Sequence, residues 1–271
     1  MIKRWKAVLV VLLITTSTAR AGSGRVEWIG DAGQRVKVEL FPSADAGTAP
    51  VLVIVLHGDA PAAKPVYQYD FAAKAAMQLH GIIAAALLRP GYTDGDGDTS
   101  DGKRGDATGD NYTPEVLDRL DAAVHQLKSE LHPSVVILLG HSGGAALSAD
   151  LIARDSALAD AALLLSCPCD VPAWRQHMKT LYPSPLWDQP VPSVSPMDVV
   201  DKVSPTTRVW MMVGEKDEVA PPDFTRRYAA ALMKHGVDAD VTVLPGRDHE
   251  ILLDDAVIPE LSKAIAALQR R

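Results

Sequence analysis

The stretch from Val135 to Gly144 constrains this chain more than any other. Val135 to Leu139 is a run of five apolar residues, rich in β-branched types, and reads as a buried strand. The chain then turns through Gly140-His141-Ser142-Gly143-Gly144 and enters an alanine-rich helical stretch, Ala145 to Arg154. Strand, tight glycine turn with a central serine, then helix is the context in which G-x-S-x-G exposes a hydroxyl on a sharp bend. A Cβ at residue 140 or 144 would collide with the neighbouring strand and helix, so glycine is required there. The helix that follows points its positive N-terminus at the serine, where an oxyanion would form. The plainer alternative is a glycine-rich βα turn with an incidental serine; the flanking strand and helix favour a nucleophile at Ser142.

A hydroxyl is a poor nucleophile until a base takes its proton. That base must titrate near neutrality, and it needs an acid partner to orient it. In an α/β sheet such groups belong at the carboxyl ends of strands. The alternation of strands and helices along the chain supplies three such ends in order: Ser142, Asp217 after the Arg208–Val213 strand, and His249 after the Val241–Leu244 strand. Glu215 and Glu218 compete with Asp217, but the Gly-x-x-Asp-x-Val-x-Pro setting favours the aspartate. His141 adjoins the serine and points elsewhere. His80, His125, His132 and His235 lie on or beside helices, and His177 lies in a covering segment. Two backbone N–H groups are expected to hold an oxyanion: that of Gly143, and that of Asp59 or Ala60 in the loop after the Val51–Leu56 strand.

The first residues stand apart from this pattern. Lys3, Arg4 and Lys6 precede a short apolar run, Ala7 to Ile14, and Ala19-Arg20-Ala21 fits a cleavage site, so residues 1–21 are expected to be a secretory signal peptide. Eight apolar residues fall short of the roughly twenty that span hydrocarbon, and no later segment is long and apolar enough. Cleavage after Ala21 removes four of the 27 Lys/Arg and none of the 34 Asp/Glu, leaving a formal net charge of −11. Such a surface repels phosphate backbones, so nucleic acid is an unsuitable partner. Export permits a disulfide between Cys167 and Cys169. Their spacing of two closes a very small ring, which favours two thiols.

The remaining 22–271 read as a single domain, with Lys37 on the outward side of a half-buried strand, Gln34 to Leu40. Two segments are compositionally biased. Residues 168–196 hold seven prolines with Trp174, Tyr182 and Trp187, and are expected to form an irregular lid. Thr93 to Asn111 is rich in Asp and Gly. Asp94-x-Asp96-x-Asp98 is similar to the start of a calcium loop, but Thr99 holds the glycine position and Gly105 the bidentate position. A solvated loop is the preferred reading, with calcium or a cationic substrate group as alternatives.

Leu56-His57-Gly58, Gly140-His141-Ser142-Gly143-Gly144, Gly214-Glu215-Lys216-Asp217 and Gly246-Arg247-Asp248-His249 together resemble the α/β-hydrolase superfamily, most closely its esterase and prolyl-oligopeptidase-like groups. The resemblance implies a mainly parallel sheet of eight strands with helices on both faces, a Ser-Asp-His triad, and acyl-bond hydrolysis with no cofactor and no metal. His57 stands where prolyl oligopeptidases place a tyrosine that helps hold the oxyanion. The expected activity is therefore hydrolysis of a small-molecule carboxylic ester, with short peptides as the alternative substrate. An acyltransferase or a catalytically silent binding protein on the same fold are more distant readings.

Overall fold

The computed structural model describes residues 24–60 and 63–270, so the expected signal peptide lies outside the described residues. Eight strands form one sheet: β1 (Arg25–Ile29), β2 (Val36–Pro42), β3 (Val51–Leu56), β4 (Ile82–Leu87), β5 (Val135–His141), β6 (Ala161–Leu165), β7 (Arg208–Gly214) and β8 (Asp238–Leu244). Their order is β1-β2-β4-β3-β5-β6-β7-β8. β2 runs antiparallel to both neighbours, and every pair from β4 to β8 is parallel. This is the α/β-hydrolase fold expected from the sequence.

Six helices cover the sheet: α1 (Tyr67–Gln78), α2 (Pro114–Leu131), α3 (Gly143–Arg154), α4 (Val171–Leu181), α5 (Pro222–Lys234) and α6 (Val257–Leu268). Strand β3 shows why both faces are covered. Leu52, Ile54 and Leu56 pack with α2, α3 and α5, while Val51, Val53 and Val55 pack with α1 and α6. A strand buried on both faces carries no polar residue, and β3 carries none. Helix α2 starts as its sequence dictates: Thr113 Oγ1 accepts the Val116 N–H and proline holds the first position. The order of strands reverses between β3 and β5, which opens a crevice at their carboxyl ends. The loops carrying Asp59 and Ser142 leave from those two ends. No helix among the described residues is long and apolar enough to cross a membrane.

Three expectations are corrected. First, the lid is not irregular, because Val171–Leu181 is helical. Its proline, Pro172, sits in the first turn, where no N–H is needed, and the Asp170 carboxylate caps the Ala173 N–H. Val171, Trp174, Arg175 and Met178 form its buried face. Second, Cys167 and Cys169 are joined in a disulfide, with Cα atoms 5.1 Å apart. Third, Lys37 does not face outward and Asp94 is not a solvated loop charge, although Gly95, Asp96 and Gly97 beside it are exposed as expected. Lys37 Nζ reaches Asp94 at 2.6 Å and Asp98 at 2.8 Å, and Tyr69 donates to Asp94 at 3.0 Å. Lys37 and Asp94 are both fully buried. The Asp-x-Asp-x-Asp loop thus wraps an ammonium of the chain itself.

Candidate active site

Ser142 lies on the bend between β5 and α3 at φ 51° and ψ −121°, a region that side chains other than glycine rarely occupy. Such strain costs on the order of 1–3 kcal/mol and persists only where the surroundings enforce it. They do so here. A Cβ on Gly140 would stand 2.2 Å from the Gly144 carbonyl, and one on Gly144 would stand 2.3 Å from the Leu56 carbonyl. The Ser142 N–H donates to the Leu165 carbonyl at 2.8 Å, and the Ser142 carbonyl accepts the Ala145 and Ala146 N–H groups, so both sides of the bend are pinned.

Ser142 Oγ lies 2.9 Å from His249 Nε2. On the other side of the ring, Nδ1 lies 2.9 Å from both oxygens of Asp217. Asp217 Oδ1 also accepts the N–H groups of Val219 and Ala220, at 2.9 and 2.7 Å. That turn holds a buried carboxylate where the imidazole needs it. The turns after β7 and β8 are fused: Lys216 N–H donates to the Arg247 carbonyl, and the Glu215 carboxylate accepts the Gly246 N–H. Glu215 therefore builds the frame, Glu218 is exposed, and of the three acids only Asp217 touches His249.

The two expected oxyanion donors flank the same serine. Gly143 is the first residue of α3, and its N–H has no protein acceptor among the described residues, nor has that of Asp59. The Asp59 carboxylate stands close by: a Cβ on Gly143 would meet it at 2.6 Å and the Tyr112 hydroxyl at 2.8 Å. An unpaired negative charge beside a forming oxyanion would oppose it. The structure offsets that charge. Arg89 Nη1 donates to Asp59 Oδ1 at 2.9 Å, Tyr112 donates to Oδ2 at 2.8 Å, and Tyr92 lies 3.3 Å away. The buried Arg89 guanidinium also lies over the rings of Tyr92 and Tyr112, with centroids 5.0 and 5.8 Å away.

Sequence reasoning missed Arg89, Tyr112 and Tyr67. Arg89 ends a buried strand, and that was the one available signal. His57 is buried and occupied: Nδ1 contacts the Gly58 carbonyl at 2.7 Å and Nε2 accepts the Arg89 N–H at 3.0 Å. Burial first, then the nearby Arg89 charge, hold its pKa well below the usual histidine value. A neutral imidazole committed on both nitrogens braces the oxyanion loop. Nitrogens of His141 and His249 and the Glu250 carboxylate come within 4.8 Å of one another, a spacing a metal would accept. Both imidazoles are already engaged there, His249 with Ser142 and Asp217, and His141 with Tyr67 and the His249 carbonyl.

The family model described as the prolyl oligopeptidase family matches residues 92–269, a span that includes Ser142, Asp217 and His249. The chain belongs to the prolyl oligopeptidase family. This family member is a serine hydrolase. Among solved structures it is similar to Est1E from Butyrivibrio proteoclasticus, with TM-score 0.68 and 17% identity over 92% of this chain and 100% of that one. It is similar also to a puromycin-hydrolyzing peptidase of Mycobacterium tuberculosis, with TM-score 0.67 and 18% identity over 90% of this chain and 39% of that one. An acylaminoacyl peptidase of Pyrococcus horikoshii gives TM-score 0.66 and 14% identity over 91% of this chain and 41% of that one. This family member thus spans about two-fifths of either peptidase. Among curated proteins the comparison found no match.

Proposed function

We propose that the chain hydrolyses esters of short acyl groups through an acyl-enzyme on Ser142. The observation that carries this reading is the unbroken run of 2.9 Å contacts from Asp217 through His249 to a strained serine. In the first step Ser142 Oγ attacks the carbonyl carbon, and its proton passes to His249 Nε2. The tetrahedral oxyanion accepts from the N–H groups of Gly143 and Asp59. Collapse breaks the ester bond, and the leaving alkoxide takes the proton from His249. Water then repeats the sequence on the acyl-enzyme, with His249 again as base.

The substrate class is supported by two features. Est1E, which is matched along its whole length, has ferulic acid bound in a second structure. The His57 side chain, where the prolyl oligopeptidases place an oxyanion tyrosine, is turned into the core. Amides have poorer leaving groups and demand more transition-state help. On one preparation, p-nitrophenyl esters of short acids are expected to give kcat/KM at least about a hundredfold above matched aminoacyl p-nitroanilides, roughly 2.7 kcal/mol. Equal or higher efficiency on anilides would overturn the ester reading in favour of a short-peptide hydrolase, the alternative that the family membership and the two peptidase neighbours support.

The same proposal places the mature chain, from Gly22 on, in an exported compartment, and the Cys167–Cys169 disulfide supports an oxidising setting. Mass spectrometry of protein from the native host is expected to find the N-terminus near Gly22; an intact Met1 end on cytoplasmic protein would refute export. The acidic balance, net charge −7 even with residues 1–21 counted, supports a partner other than nucleic acid.

A further inference from the structure

Behind the serine lies a second hydrogen-bond series that the reaction above leaves unused. The Gly58 N–H donates to the Tyr67 hydroxyl oxygen at 2.5 Å. That hydroxyl lies 3.2 Å from His141 Nδ1. His141 Nε2 lies 2.9 Å from the His249 carbonyl oxygen, which also accepts the Ser166 hydroxyl at 3.0 Å.

Valence places every proton in this series. A carbonyl oxygen only accepts, so His141 Nε2 carries a hydrogen. His141 is fully buried, and that burial, reinforced by neighbouring His249, lowers its pKa to about 4. The ring is therefore neutral at ordinary pH and has one N–H. Nδ1 is left with a lone pair, so Tyr67 must be the donor to it. The Tyr67 oxygen then has its lone pairs free for the Gly58 N–H. Burial pushes the phenol pKa up, so the hydroxyl keeps its proton. The series runs one way, from Gly58 through Tyr67 to His141 Nδ1, and from His141 Nε2 to the His249 carbonyl.

We propose that Tyr67 and His141 are positioning residues that couple the oxyanion loop to the histidine base through this one-way series. The proposal rests on the roles given above to Ser142, His249 and the Asp59 N–H. One end of the series fixes the His57–Gly58 peptide, one residue ahead of the Asp59 N–H, and the other fixes the backbone that presents the His249 ring. A methyl group at Gly58 would stand 3.0 Å from Ser142 Cβ and 3.1 Å from the Tyr67 hydroxyl, so Gly58 packs against both the nucleophile and the phenol oxygen. Its hydrogen is nevertheless committed to His141. Tyr67 therefore holds the loop in place and does not itself donate to the oxyanion.

Two measurements on the full chain test this. Long-range proton–nitrogen spectra of histidine-labelled protein at neutral pH, with the His141 signal assigned by its loss in His141→Gln, are expected to show the neutral Nε2–H tautomer. In Tyr67→Phe, kcat for p-nitrophenyl acetate is expected to fall about tenfold or more while KM stays within about twofold, with fluorophosphonate labelling slowed in step. A purely structural role would lower thermal stability without that split. An Nδ1–H tautomer for His141, or an unchanged kcat in folded Tyr67→Phe, overturns the proposal. Should Tyr67→Phe fail to fold, the tautomer of the unmodified chain decides alone. Absence of labelling in the unmodified chain would strike at the nucleophile reading instead.

Discussion

Ser142→Ala is expected to remove ester turnover almost entirely, with kcat reduced by about a million-fold, and to abolish fluorophosphonate labelling. Loss of one nucleophile costs nearly as much as loss of the whole triad, because the three groups act as a unit. The fold should survive. Ser142 adopts its positive φ because Gly140, Gly144 and the Leu56 carbonyl leave no other course, and alanine can follow the same bend as serine. Circular dichroism and thermal melting should therefore match the unmodified chain. Labelling that persists in a folded Ser142→Ala protein would sink the assignment, since among the described residues no other hydroxyl lies at His249 Nε2.

Lys37→Met is expected to be strongly destabilising although it lies outside the active site. Removing one partner of a buried ion pair typically costs about 3–5 kcal/mol, because the other charge is left in the interior. Here the stranded groups would be Asp94, fully buried, and Glu39 beside it. At roughly 2–4 °C per kcal/mol for a chain of this size, the melting temperature should fall by about 10 °C. The pH dependence gives a sharper check. Burial pushes the Asp94 carboxyl up, but the hydrogen bonds from Lys37 and Tyr69 and the Lys37 charge together outweigh it, and its pKa lies below the ordinary carboxylate value. Its contribution is therefore complete above the unfolded value and is lost as pH falls through the lowered one. Without Lys37, burial is opposed far less, the Asp94 pKa rises, and the variant gains relative to the parent as that carboxyl takes up a proton. The stability gap should narrow on acidification. A gap that stays constant from neutral to acid pH would rule out an uncompensated carboxylate as its cause.

What the sequence disclosed follows from range. Strand β5 and the turn after it are encoded within ten residues, so both the buried strand and the bent serine could be read directly. Asp217 and His249 were legible because each follows an apolar run, and in a parallel sheet such runs end on one side of the molecule. Helix α4 is masked in the sequence by the density of prolines across 168–196, although their positions admit a helix. Pro172 occupies a first-turn position, and the spacing of Trp174, Arg175 and Met178 is helical. The Lys37–Asp94 pair was hidden for a different reason. Their partnership spans 57 residues and exists only because β2 lies antiparallel beside β4, a register that alternation along one strand does not specify. Arg89 is hidden likewise, since a charge after a buried strand looks like solvent-facing loop until Asp59 and Tyr112 are brought against it.

Helix α4 is fastened by a single side chain at four points. Arg175, buried on α4, donates to the backbone carbonyls of Thr108, Leu186, Trp187 and Gln189. One planar guanidinium thus ties the helix to the polypeptide on either side of a surface cavity of about 470 Å³ lined by Leu181, Tyr182, Leu186 and Trp187. All four acceptors are uncharged carbonyls, so the ties themselves contain no ion pair for salt to screen. Arg175 acts as a rivet: one side chain joins α4, the Thr108 loop and the 186–189 turn, so its loss would release three stretches of chain at once.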